Sequence, residues 1–177
     1  MAIKLTPLSE AFPDSGHELN VNRSHMLAHA GIEYLEASIA AHACHEAHGL
    51  NIYVPLPLMH QAIELLLKAH ALMIDTSFDP KKYGHETVVL VNDYESKIGV
   101  FSTISANQEY MELIAALEQA WLSVRYAEVV ISYTGPDYKT AGNIANLLAD
   151  EYFHEFEVPI QAHHFDKLRQ QRDQNKT

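Results

Sequence analysis

Apolar positions recur along most of this chain at steps of three and four, the period of a helix with one buried face. Ala28, Ile32, Leu35, Ile39 and Ala43 form one such stripe. With Ser24 as N-cap and Gly49 as the stop, they predict a first helix ending at His48. Two prolines two residues apart place a connector at 52–57, and Pro57 suits a helix start. A second helix is expected over 58–74. At 100° per residue Met59, Ile63, Leu66, Leu67, His70 and Ile74 share a face, and Leu58, Ala62, Leu65, Ala69 and Leu72 fill the adjoining side. Only His60, Gln61, Glu64 and Lys68 form a polar stripe, so this helix belongs in the middle of a bundle.

A loop follows over 75–84. A short helix is expected over 85–98 with Val88, Val91 and Ile98 inward, ended by Gly99. Ser105 and Gln108 resemble a capping box for a helix carrying Met111, Ile114, Leu117, Trp121, Leu122 and Val124 and reaching about Ile131. Thr134-Gly-Pro-Asp137 is a break, and a last helix is expected over 138–156. The expected fold is an all-α up-and-down bundle of four to six helices, in one domain. It spans residues 23–158, between an irregular arm, 1–22, and a polar tail, 159–177.

Composition narrows the function. Twelve Lys and Arg against 23 Asp and Glu leave a formal charge of −11, which disfavours nucleic acid as a partner. A single cysteine, Cys44, excludes an internal disulfide and fits a reducing compartment. Neither an apolar leader nor a membrane-length apolar run is present, so the expectation is a cytoplasmic address. Cys44 lies within the first helix, where buried, inert packing is expected.

Twelve histidines make metal binding the first chemistry to test. His42, His45 and His48 drift around their helix too far to face one ion. The Glu-x-x-His pattern of diiron bundles occurs once, at Glu151 and His154, where two copies are needed. No metal or cofactor is therefore expected, and a histidine-rich metal-binding bundle is a distant alternative. No nucleophile elbow or phosphate-cradling glycine loop occurs.

The polar stripe is the most informative feature. His60, Glu64 and Lys68 lie in line at steps of four, and Glu64 before Lys68 is the favourable order for a helical ion pair. The stripe is either a solvated seam or a cluster closed by other helices. Arg125, in an otherwise apolar segment, is a candidate partner.

The segment His60-Gln-Ala-Ile-Glu-Leu-Leu-Leu-Lys-Ala69 resembles the signature helix of HEPN domains, where Gln-Ala-x-Glu-x-x-x-Lys-Ala recurs. Gly84-His85 resembles the family's Gly-His or Thr-His pair, with Glu86-Thr87 in place of the usual Asp-Leu. Arg125-Tyr126 resembles its Arg-Tyr pair, with Ala127 where proline is common. Order and gaps match over residues 24–156. The resemblance implies a helical bundle that tends to form homodimers. It also implies a non-catalytic module binding a nucleotide or a protein partner such as a minimal nucleotidyltransferase, in toxin–antitoxin or related systems. The candidate ligand-binding residues are His60, Glu64, Lys68, His85, Arg125 and Tyr126. The alternative is the family's ribonuclease branch, whose Arg-x4–6-His comes late in the domain. Arg125 has Val130, Ile131 and Ser132 at those offsets, and Arg23 to His29 fits the spacing only at the start of the first helix.

Overall fold

The computed structural model describes residues 16–48, 54–126 and 138–156, with side chains for 20–44, 54–121 and 138–156. The described residues form six helices and no strand. These are α1 (Gly16–His48), α2 (Pro55–Ile74), α3 (Thr87–Tyr94), α4 (Gly99–Ser105), α5 (Gln108–Tyr126) and α6 (Tyr138–Glu155). Most of the expected arm and all of the expected tail lie outside the described residues.

α2 is the axis of the bundle, packing against α1, α3, α5 and α6. Met59, Ala62, Leu66, Leu67 and Ala69 have no exposed surface, and Ile63 has 1%. A helix that is apolar over most of its circumference has no other stable place. Ile74, at its last turn, departs from the expected inward face and is 43% exposed. Pro55 and Pro57 belong to the helix and not to a connector. In a first turn the missing N–H groups have no intrahelical acceptor to lose.

α1 and α2 form an antiparallel hairpin. Asn20 Nδ2 donates to Thr76 O at 2.8 Å, Ser24 Oγ to Ala69 O at 2.7 Å, and Ser38 Oγ to Pro55 O at 2.7 Å. Ser24 is therefore not an N-cap. It lies fully buried inside a helix that starts at Gly16, and its hydroxyl also meets Tyr152 OH at 2.6 Å. Gly31 lets the two backbones approach, since a Cβ there would stand 2.9 Å from Leu66 Cγ and 3.1 Å from Ala62 O. Because Ser38 is level with the first residue of α2, residues 39–48 run past it by ~15 Å. That overhang explains why Ile39 is 44% exposed and why Ala43 and Cys44 are exposed, against the buried positions expected for them.

The helix expected over 85–98 is shorter, Thr87–Tyr94, and a further short helix that the pattern did not predict follows it at Gly99–Ser105. Tyr94 O accepts from both Lys97 N and Ile98 N, closing α3. Ile98 turns extended (φ −124°, ψ 115°), is buried, and caps α4 by accepting from Phe101 N and Ser102 N. Gly99 thus opens a helix and does not end one. Ser105 ends α4, with its hydroxyl donating to Ser102 O at 3.2 Å. The cap of α5 is Asn107, whose Oδ1 accepts from Tyr110 N at 3.3 Å. α6 follows the expected bounds closely and buries Ala141, Ile144, Ala145, Leu148, Ala149, Tyr152 and Phe153 at helical steps. Among the described residues no helix is long and apolar enough to cross a membrane.

Candidate functional site

Three of the sequence-derived candidates come together around one carboxylate. Glu64, on α2, is 3% exposed. Its Oε1 accepts from Lys68 Nζ one turn along the helix. Its Oε2 accepts from His85 Nδ1 at 2.7 Å. Lys68 Nζ also donates to Gly84 O. The stripe is therefore a closed cluster and not a solvated seam. A buried carboxylate is tolerable here because two donors share its charge.

The loop before α3 is shaped to deliver those partners. Asp75 Oδ1 accepts from Ser77 N at 2.9 Å and Ser77 Oγ at 2.6 Å, and its Oδ2 accepts from Tyr94 OH at 2.8 Å. These bonds, Ser77 first, hold the Asp75 carboxyl below its ordinary pKa. Phe78, Tyr83 and Tyr94 bury against one another at centroid separations of 5.4–6.3 Å. Gly84 then adopts φ +52°, a left-handed conformation that costs glycine little. That turn aims the Gly84 carbonyl at Lys68 and places His85 beside Glu64.

His60 faces the same carboxylate oxygen as His85, with Nδ1 3.9 Å from Oε2, and is 1% exposed. Its ring stacks on Trp121 of α5 at 5.8 Å and 15°. Neither ring nitrogen has a hydrogen-bond partner among the described residues. Burial pulls the imidazole down to about 4, opposed by Glu64 and reinforced by His85 and Lys68, so it is neutral at pH 7. His60 is a packed ring and not a ligand-facing one.

Arg125 and Tyr126 belong by backbone to the last turn of α5, and their side chains lie outside the described residues. Two residues that the sequence reading did not place at the site are Glu118 and Trp121. Glu118 Oε2 accepts from Thr87 Oγ1 at 2.9 Å and Val88 N at 3.4 Å, so it caps α3 from another helix. Their spacing of three on α5 was the available signal, since it puts them on one face.

His85, with a third of its side chain exposed, borders an open cleft of about 370 Å³. Lys81, Lys82, Tyr83, Gly84, Glu86 and Glu118 line the rest. Lys81 and Lys82 are exposed, while Lys68 is held inside by Glu64 and Gly84. The cations able to meet a ligand are thus on the loop, and Lys68 acts on the loop backbone. No group of three or more His, Cys, Asp or Glu among the described residues is arranged to hold a metal. Glu151 and His154 both face outward. Compared with protein-family models, curated proteins and solved structures, the chain matches none.

Proposed function

We propose that this chain is a non-catalytic HEPN-like helical module that acts as a homodimer and binds a nucleotide or a protein partner. The observation that carries the reading is the bonding of Glu64 and Lys68 to His85 and Gly84. Two separate stretches of the resemblance, one in a helix and one in a loop, act as a single unit. A carboxylate already shared by two donors is a poor general base, which favours binding over catalysis. The adjacent cleft offers Lys81 and Lys82 as charge partners for phosphate, with His85 at its border. A cytoplasmic address accords with the lone cysteine.

Thermal shift with mononucleotides at millimolar concentration tests the nucleotide arm. A ligand at about ten times its Kd raises stability by ~1.4 kcal/mol. The wild type is expected to be stabilised, and Lys81→Ala/Lys82→Ala and Arg125→Ala to lose the effect. No shift in the wild type overturns nucleotide binding and leaves the protein partner. Light scattering is expected to give about twice the 19.9 kDa of the chain, and a monomer at micromolar concentration overturns the homodimer.

A further inference from the structure

We propose that the junction of His25, Tyr152 and His70 is an acid-sensitive latch, which holds α6 onto α1 and α2 at neutral pH and releases it when the two imidazoles take up protons. Tyr152, on α6, is fully buried between them. His25 from α1 meets its ring edge-on at 6.2 Å and 89°, and His70 from α2 does so at 5.2 Å and 88°. The Tyr152 hydroxyl is bonded to Ser24 Oγ at 2.6 Å, which fixes the ring against α1.

The proton inventory at this junction is incomplete in one direction. His70 is fully buried, and its Nε2 lies 2.9 Å from Leu148 O. A carbonyl only accepts, so Nε2 carries the hydrogen and Nδ1 is the site for an incoming proton. Nδ1 has no partner among the described residues, and the His70 ring has the rings of Phe101 and Phe156 edge-on beside it at centroid separations of 6.0 Å. His25 Nε2 is likewise buried and unpartnered. A proton added at either place makes a charged donor with nothing to donate to.

No carboxylate among the described residues is bonded to either ring. Among the described side chains of α1, Arg23, His29 and Glu33 are close by in the helix, with Tyr34, Glu36, His42 and Cys44 further along. On α6, Lys139, Asp150, Glu151, His154 and Glu155 are exposed. On α2, Lys68 is held by Glu64, and beyond its end Asp75 is held by Ser77 and Tyr94. α4 has no titratable side chain, and on α5 Glu109 and Glu112 are exposed, Tyr110 is half-buried and Glu118 is held by Thr87 and Val88. His60, also buried, stacks on Trp121 of α5, and no ring contact joins it to α6. Burial pulls His70 down to about 4, and burial, then His29, pulls His25 below its ordinary value.

Composition separates this from general acid unfolding. With all twelve histidines protonated the formal charge moves from −11 to +1, since −11 + 12 = +1. Charge repulsion therefore falls as the latch is strained, and the opening is confined to α6, the helix that packs on the unpartnered imidazoles of α1 and α2.

Hydrogen exchange of the full chain at pH 7 and pH 5, corrected for intrinsic rates, tests this. Peptides from α6 are expected to open roughly 20-fold more at pH 5 from His70 alone, and peptides from α3, which touches neither imidazole, much less. His70→Gln keeps a donor for Leu148 O without a titrating nitrogen and is expected to lose most of the response. Equal opening of α3 and α6, or a full response in His70→Gln, overturns the proposal. Should that variant fail to fold, NMR titration of the wild-type imidazoles decides. Proton uptake by His70 only below about pH 5, together with loss of the Tyr152 contacts, is expected. Titration near 6.5 with α6 still packed overturns it.

Discussion

Glu64 and His85 stand 21 residues apart, on α2 and on the loop before α3, yet His85 Nδ1 donates to Glu64 Oε2 at 2.7 Å. With Lys68 bonded to the same carboxylate and to Gly84 O, the pair fixes where the loop leaves α2 and how α3 begins. Removing the carboxylate leaves Lys68, 7% exposed, without its counter-charge. Glu64→Ala is expected to cost about 3–5 kcal/mol, by chemical denaturation. Adding Lys68→Met is expected to restore part of that loss, because the stranded ammonium is gone. A double variant less stable than Glu64→Ala would contradict the charge-pair account.

The hairpin of α1 and α2 depends on a close approach. Glycine to alanine inside a helix ordinarily gains about 0.5–1 kcal/mol. At Gly31 the new Cβ would meet Leu66 Cγ at 2.9 Å, and the Ala62 carbonyl closes the other side. Gly31→Ala is expected to destabilise by about 1–2 kcal/mol. In a double-mutant cycle with Leu66→Ala the coupling is expected to be favourable. A stabilised single variant would show that α1 shifts freely.

Burial of α2 predicts a contrast between its core and the outside of α3. Ile63→Asn places an amide where 1% of the side chain sees water and is expected to cost about 3–5 kcal/mol. Val89→Asn, at a site 43% exposed, is expected to stay within about 0.5 kcal/mol of wild type. Equal losses by urea titration would place α2 at the surface.

His60 sets a pH dependence whose sign follows from its neutral, buried ring. Its folded pKa of about 4 lies below the 6.5 of an exposed histidine, so the unfolded chain binds the proton more readily. Its contribution is complete above pH 6.5 and is lost as pH falls from 6.5 towards 4. Between pH 7 and pH 5 the loss is expected to be about 2 kcal/mol. His60→Gln is expected to flatten the slope of stability against pH, read from urea midpoints. A slope as steep as that of the wild type would assign the dependence elsewhere.

Local pattern determined the all-helical class, the central place of α2 and the bounds of α6, because a stripe at helical steps reports which face a helix must bury. It also showed that Glu64 and Lys68 needed partners, since α2 has almost no face left for water. Which partners they took was decided by the loop. A left-handed Gly84 and the packed rings of Phe78, Tyr83 and Tyr94 are what carry the Gly84 carbonyl and His85 to them. Tertiary contacts likewise turned Ser24 from an expected cap into a buried link to Ala69 and Tyr152. They ended the expected helix at Tyr94 and made the buried Ile98 the cap of a further helix. They left Ile39, Ala43 and Cys44 exposed, because α1 outruns the helix it packs on. Periodicity records a side chain's direction about its own axis. It carries no record of where a neighbouring helix ends, or of which group lies across a gap of 20 to 130 residues.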